Sequence, residues 1–307
     1  MEGLQHIVKQ LCECGISCRQ DAVMAPYTSF HIGGQAALLV EPSTQEQLRY
    51  AVQTVRSHGV RVVLLGRASN VLLPDEPMDV AVIRTALIKD VSVDGEVLTA
   101  ACGTTLAEMA RYAQRAGLGG LEFAYGIPGT LGGALCMNAG AYGYDMSGVV
   151  SCVCVYDAER DQILDLKAEQ MQFSYRHSAL LSSPHWIALS ARLLLKCDDP
   201  AQIEARMQHY MQQRKEKQPL EYPSVGSVFK RPIGAFAGQL IEQSGLKGYR
   251  IGDAMVSPKH AGFIVNVGNA RAKDVLALIE HIRGTVLRDH GIMLEPEVQI
   301  LTSLHQR

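Results

Sequence analysis

The densest chemical signal in the chain is the run Gly126-Ile-Pro-Gly-Thr-Leu-Gly-Gly-Ala-Leu-Cys-Met-Asn-Ala-Gly140, with glycines at 126, 129, 132, 133 and 140. Glycines this close together let successive backbone N–H groups face inward, which makes a concave anion site suited to a pyrophosphate. The alternative is a tightly packed loop with no ligand. The spacing is not G-x-G-x-x-G, Pro128 interrupts it, and Leu121-Glu-Phe-Ala-Tyr125 ahead of it is not a clear first Rossmann strand. The Gly-Lys-Ser/Thr ending of a Walker A loop is missing as well. A second glycine-led polar loop, Gly66-Arg-Ala-Ser-Asn70, follows the buried-strand pattern of Arg61 to Leu65.

Other chemistry is constrained by what the chain lacks. The eight cysteines stand at 12, 14, 18, 102, 136, 152, 154 and 197, and their closest pairs are C-x-C, unlike a zinc knuckle or a redox C-x-x-C. Small buried or half-exposed thiols in a reducing cytosol are the expectation, with no metal site, and Cys152 and Cys154 should share one strand face. Lys and Arg total 29 against 31 Asp and Glu, a formal net charge of -2. No overall field favours nucleic acid or an acidic membrane, so an anionic ligand needs a local basic site. Arg214-Lys-Glu-Lys217 is one candidate, although it reads equally as a solvated helix end. Taken singly, Arg176 reads as an exposed ion-pair residue, Ser227 as a turn residue after Pro223, and Glu297 as a charge at a strand edge.

The elements that must position these groups form an α+β pattern in three units, 1–85, 86–197 and 198–307. Leu4, Ile7, Val8 and Leu11 give the N-terminal segment one apolar helical face, and this segment does not resemble a signal peptide. No apolar run approaches the roughly 20 residues that span a bilayer, so the expected location is the cytoplasm. Ala36 to Val40 reads as a strand. Ser43-Thr-Gln-Glu46 then fits a capping box for a helix ending at Gly59. In the second unit, Val91 to Val93 and Val97 to Ala100 form a hairpin turning at Asp94-Gly95. Thr105-Leu-Ala-Glu108 caps the next helix, and strands follow at Val149 to Tyr156, Gln162 to Leu166 and Trp186 to Leu195. The third unit opens with a charged helix through Gln213. It closes with strands at Ile251 to Val256 and Gly262 to Asn266, a helix at Ala270 to Arg288 capped by Asn269 and stopped by Gly291, and a strand at Met293 to Leu301.

In order along the chain stand Tyr27-Thr-Ser-Phe-His-Ile-Gly-Gly34, Gly66 to Asn70, Gly126 to Gly140, Tyr175-Arg-His-Ser178, Gly226-Ser-Val-Phe-Lys-Arg-Pro232 and Leu294-Glu-Pro-Glu297. Together they resemble the UDP-N-acetylenolpyruvoylglucosamine reductase family, over nearly the whole chain from about residue 20 to 300. The resemblance implies a two-part FAD-binding region of the vanillyl-alcohol-oxidase (PCMH) type plus a C-terminal α+β substrate-binding domain. It implies an FAD site built from Tyr27, Thr28, Gly66, Arg67, Ala68, Ser69, Asn70, Gly126, Pro128, Gly129, Thr130, Gly132, Gly133, Asn138, Ala139 and Gly140. Backbone amides would do most of this work, with Ser69 and Thr130 adding hydroxyl donors to phosphate oxygens; Ser69 and Asn70 could instead merely close a turn. Two positions depart from the family pattern: Ala68 replaces a usual glycine, and Gln299 stands where a basic residue is common. Only residues 176–197 separate Tyr175 from the third unit, leaving no room for the long substrate-capping insertion of one subclass. The shorter, type II-like subclass and a more open uridine site are therefore implied.

The family reaction has two hydride steps, first from NADPH to FAD and then from flavin N5 to the vinyl CH2 of an enolpyruvyl ether carried on a UDP-amino sugar. It is a cytoplasmic step in making peptidoglycan precursor for the cell wall. By the same resemblance Arg176 polarises the substrate carboxylate, Ser227 donates a proton to the enolic carbon, and Glu297 supports the charge as a hydrogen-bonding acid with a raised pKa. Tyr175, Arg214, Lys217 and Lys230 would grip the UDP diphosphate and sugar, while Lys259 and His260 either face the site or simply build a loop. Expected partners are the UDP-sugar and NADPH, without nucleic acid or membrane, acting on a monomer. Rival readings are an FAD oxidase or dehydrogenase of the same superfamily and a non-catalytic FAD or UDP-sugar binder; neither needs Arg176, Ser227 and Glu297 together.

Overall fold

The computed structural model describes residues 2–301. Its contacts group the chain into two compact units. The first takes residues up to 20, 38–67 and 79–213; the second takes 21–37, 68–78 and those from 214 onward. The apolar residues gather in three separate cores, two in the first unit and one in the second.

One core of the first unit lies under a four-stranded sheet in the order Ser17–Val23, Gln35–Glu41, Met78–Arg84, Val62–Leu65. Val62–Leu65 runs parallel to Met78–Arg84. Helix Glu2–Glu13 buries Ile7 and Leu11 in that core, and helix Gln45–Ser57 buries Leu48, Ala51, Val52 and Val55 in it. The cap of the second helix falls one residue later than the sequence suggests. Thr44 Oγ1 accepts from the Gln47 N–H at 3.1 Å, and Gln47 Oε1 accepts from the Ser43 N–H. The Gln47 amide therefore braces the residue before the cap without closing a capping box, and the helix starts past Ser43.

The other core of the first unit is covered by an antiparallel five-stranded sheet, in the order Gln162–Lys167, Val150–Asp157, Trp186–Leu194, Val97–Ala101, Val91–Asp94. Asp94 pairs with Val97, so the tip is Gly95-Glu96, with Gly95 at φ 56°. Helix Leu106–Arg115 begins with the expected Thr105–Glu108 capping box. Helix Pro200–Lys217 buries Ile203 and Met207 in this core, so most of it groups with the first unit. The sequence division had placed it in the third. Apolar side chains four residues apart decide where a helix packs, whatever its charge. The three-part division at 85 and 197 remains a proposal.

The second unit has a four-stranded antiparallel sheet ordered Ser224–Ser227, Phe263–Asn266, Ala254–Val256, Arg250–Ile251, with helices Ala237–Gln243 and Ala272–His290 sharing its core. The single strand expected over Ile251 to Val256 is a tight hairpin, because Gly252 takes φ 55° between Ile251 and Ala254. Asn269 does not cap the long helix. The Asp75 carboxylate does so, accepting from the Ala272 N–H at 2.8 Å and the Lys273 N–H at 3.1 Å. It thereby satisfies two of the donors that every helix start leaves open. Gly291 follows the helix at φ 69° as expected. The strand expected over Met293 to Leu301 shrinks to Gln299–Ile300, parallel to Val71–Leu72, and one isolated Phe229–Pro296 bridge. Pro296 has no N–H to continue a ladder.

Candidate active site

In the first unit, the glycine-rich segment and the Tyr175 motif are tied together by side chains. Residues 174–177 close a tight turn: the Ser174 and His177 backbones bond each other in both directions, at 3.1 and 3.2 Å. Tyr175 and Arg176 occupy its tip. Asn138 Nδ2 donates to Ser174 O at 3.1 Å, Ser178 Oγ donates to Cys136 O at 3.0 Å, and Arg176 Nη2 donates to Gly140 O at 3.2 Å. The Arg176 guanidinium also lies 5.0 Å from the centroid of the Tyr175 ring. Tyr175 itself is 53% exposed.

Arg176 holds φ 56°, and Asn138 and Tyr142 hold φ 41° and 57°. For an arginine this left-handed conformation costs about 1–2 kcal/mol relative to ordinary backbone. Three such residues around one segment mark a backbone whose shape is imposed by its surroundings.

The expected cradle of amides is only partly available. The N–H groups of Ile127, Gly129, Leu131 and Gly132 donate to Ala124, Ile127, Thr104 and Cys102 carbonyls at 2.8 to 3.0 Å, and the Ala139 N–H donates to Ala134 O. Those groups shape the loop and are not open to a pyrophosphate. Gly126 and Gly129 are half-buried, whereas Pro128 and Gly133 are exposed. Thr130 gives a sharper indication. It is 1% exposed, and its Oγ1 is buried without a hydrogen-bond partner. A Cβ on Gly66 would stand 2.2 Å from that oxygen, so the closeness of the two loops requires glycine at 66. An orphaned buried hydroxyl costs about 1–3 kcal/mol, which a ligand reaching it would recover. A cradle that excludes a side chain and holds an unsatisfied donor fits an anionic cofactor. Desolvation raises the thiols nearby, buried Cys102 to about 12 and half-buried Cys136 to about 11, so both stay protonated at neutral pH.

Arg67, at the end of the first unit's share of the Gly66 loop, is exposed. The rest of that loop belongs to the second unit. Ala68 takes φ 47°, the conformation a glycine would adopt freely, so the departure from the family pattern adds strain at that position. Its carbonyl accepts from the Ser29 N–H at 3.3 Å, and Ser69 is half-buried. Asn70, expected at the cofactor, uses its side chain on the protein: Nδ2 donates to Glu297 O at 3.1 Å. Thr28 is likewise committed, its Oγ1 bonding Ala25 O, Ile32 O and the Ile32 N–H. Tyr27 ends the short 3-10 turn Ala25–Tyr27. A hydroxyl or amide in a tight loop satisfies nearby backbone first.

Seventy positions separate Ser227 from Glu297, yet Glu297 bonds to the residue that follows Ser227. The Glu297 N–H donates to Val228 O at 2.7 Å, and Gln299 Nε2 joins Asn70 in donating to Glu297 O, at 3.3 Å. Gln299 thus has a role that a basic residue would not fill in the same way. It was visible in the sequence only as a departure from the pattern. Ser227 Oγ stands 3.5 Å from Phe229 O, at the limit of a hydrogen bond. Of the expected substrate cations, Lys230 is paired with Glu295 at 3.1 Å. Arg214 is half-buried and Lys217 exposed near the end of helix Pro200–Lys217. Lys259 Nζ donates to Lys215 O at 2.7 Å, capping that helix rather than reaching outward. Among the described residues there is no His, Cys, Asp and Glu cluster able to hold a metal, and no helix long and apolar enough to cross a membrane.

Residues 36–156 match the FAD binding domain family model, and residues 218–301 match that of the UDP-N-acetylenolpyruvoylglucosamine reductase C-terminal domain. A UDP-N-acetylenolpyruvoylglucosamine reductase of Caldanaerobacter subterraneus is 45% identical over 91% of this chain and 91% of its own length. The chain belongs to the UDP-N-acetylenolpyruvoylglucosamine reductase family. A second reductase of that name, from Pseudothermotoga lettingae, is 46% identical over 91% of the chain and 96% of its own. The crystal structure of the reductase from Thermus caldophilus superposes with a TM-score of 0.78 at 36% identity, covering 93% of this chain and 98% of that one. A glucose dehydrogenase at 17% identity and TM-score 0.50, covering 65% of this chain and 45% of its own, shares the fold of the FAD-binding region. The expected fold class, an α+β chain with an FAD-binding region of the PCMH type followed by a separate C-terminal domain, is the one found.

Proposed function

We propose that this chain reduces UDP-N-acetyl-3-O-(1-carboxyvinyl)-glucosamine to UDP-N-acetylmuramate with NADPH, using FAD, as a cytoplasmic monomer supplying peptidoglycan precursor. Bound FAD would supply the redox chemistry, a hydride relay between NADPH and the vinyl CH2 carbon. Hydride addition there pushes the double-bond electrons onto the neighbouring carbon and into its carboxylate. Arg176, permanently charged, stabilises that developing charge through its guanidinium donors. Ser227 delivers its hydroxyl proton to the carbon and is reprotonated from solvent, completing a net addition of hydride and proton. Glu297, with its backbone pinned on both sides, supports the same charge as a hydrogen-bonding acid.

Thr130, Gly66 and the segment from Gly126 to Gly140 would hold the cofactor, with Arg67 and Ser69 on the adjoining loop. Tyr175, Arg214 and Lys217 would grip the UDP portion, Lys230 contributing when Glu295 releases it. The absence of a long insertion after Tyr175 assigns the chain to the shorter subclass. The observation that carries the reading is Arg176: a charged residue kept at φ 56° on a turn bonded to the glycine-rich segment. Such strain persists where function requires the geometry. The test is to purify the protein, which should be yellow, bleach it with NADPH, and add the enolpyruvyl UDP-sugar. Rapid return of the flavin absorbance is expected; a colourless protein that takes up no FAD would overturn the reading.

A further inference from the structure

The loop Ser257 to Gly262 packs beside the end of strand Ser224–Ser227, and the two are joined to Glu297 by consecutive hydrogen bonds. Ser257 Oγ accepts from the His260 N–H at 3.3 Å, and His260 Nδ1 accepts from the Gly262 N–H at 3.1 Å. Gly262 O accepts from the Val228 N–H at 2.9 Å, and Val228 O from the Glu297 N–H at 2.7 Å. Asn70 and Gln299 complete the series on Glu297 O. A Cβ on Gly262 would stand 3.0 Å from His260 Cε1 and 3.3 Å from Ser227 Oγ, so imidazole and hydroxyl flank one glycine. A nitrogen accepting from an amide carries no proton, which places the ring proton of neutral His260 on Nε2.

We propose that His260 is a positioning residue for the proton-donating serine: its unprotonated Nδ1 fixes the Gly262 peptide, which in turn sets the Ser227-Val228 backbone against Glu297. The inference rests on the proposed reductase reaction. Protonating Nδ1 would turn the acceptor into a donor facing another donor and break the first link. Burial holds the His260 pKa below its ordinary value, keeping the link intact at neutral pH. The ring edge of Phe263 at 4.9 Å adds to that apolar setting. The charged groups around the imidazole are Lys247 and Glu242, bonded to each other at 2.7 Å, and Lys259 on its own loop.

His260→Asn retains an acceptor near the Nδ1 position, His260→Gln carries it farther out, and His260→Ala removes it. Stopped-flow absorbance of the FAD-loaded enzymes should show flavin reduction by NADPH within about twofold of wild type in all three. Reoxidation by the enolpyruvyl UDP-sugar should slow about 30-fold or more in the Ala and Gln variants and recover to within about fivefold in Asn, as expected when a reacting group is misplaced by a fraction of an ångström. Wild-type reoxidation should fall below pH 6.5 as the imidazole charges, and that limb should vanish in the Asn variant. Equal slowing in Asn and Gln, or a low-pH limb surviving in Asn, would overturn the proposal; this pair decides even where the Ala variant fails to fold. If wild-type enzyme reduced by NADPH is not reoxidised by the UDP-sugar at all, the reductase reading itself fails.

Discussion

The two halves of the proposed catalytic set are held by opposite means. Arg176 sits on a strained turn, fastened by single side-chain bonds to the glycine-rich segment, and that segment carries Thr130, whose buried hydroxyl has no partner. Ser227 and Glu297 sit on a backbone ladder whose carbonyls and amides are satisfied link by link. The first arrangement stores cost that a bound cofactor and substrate can recover, whereas the second is organised before either arrives. Charge stabilisation and proton delivery place different demands on a protein: a long cation can adjust to its ligand, while a weak acid such as serine must be in place beforehand.

The comparison breaks first at Arg176. In Arg176→Gly the guanidinium is lost but the left-handed backbone becomes unstrained, so reoxidation by the UDP-sugar should fall about 100- to 1,000-fold while thermal stability is maintained or rises. Stopped-flow and thermal melts on the same sample check this; a variant that unfolds would show the turn to be structural. On the other side, Asn70→Ala removes one tie from Glu297 O. It should slow reoxidation about tenfold and cost about 1 kcal/mol of stability, leaving flavin reduction unaltered. Equal damage to both half-reactions would return Asn70 to the cofactor site where the sequence put it.

Two smaller effects sharpen the contrast between strain and satisfaction. Ala68→Gly relieves φ 47° and should raise stability by about 0.5–1 kcal/mol after the entropy glycine gains on unfolding, measurable as a shifted urea midpoint. No change, or a loss, would mean the alanine methyl packs better than its backbone suffers. Glu108 closes a satisfied capping box. Burial works against its charge, but hydrogen bonds from Lys89 and Thr105 outweigh this and lower its pKa to about 2 from an ordinary 4.5. Its contribution is therefore present above pH 4.5 and lost as pH falls toward 2; because the side chain is largely exposed, it should stay under about 1 kcal/mol. Acid titration of the urea midpoint for Glu108→Gln, with that pH dependence gone, checks it.

Where structure follows from near neighbours, the residues were legible. The Thr105–Glu108 box, the Gly95 hairpin and the apolar stripes of both N-terminal helices appear as the local pattern indicates. Where partners come from far along the chain, the pattern misled. Nothing near Ala272 points to Asp75 as its cap, and nothing near Asn70 indicates that its amide belongs to Glu297. The glycines of the Gly126 segment announced a special backbone, but several of its amides turn toward the protein, which composition cannot reveal. Ser227 and Glu297 were nameable only through the whole set of motifs, because a serine after a glycine and a glutamate after a proline carry no chemistry by themselves.

The most direct measurement is the pair of half-reactions in Ser227→Ala. With the proton donor gone, NADPH should still bleach the flavin at nearly the wild-type rate, while reoxidation by the enolpyruvyl UDP-sugar slows by orders of magnitude. Comparable loss in both steps, or undiminished reoxidation, would contradict the account.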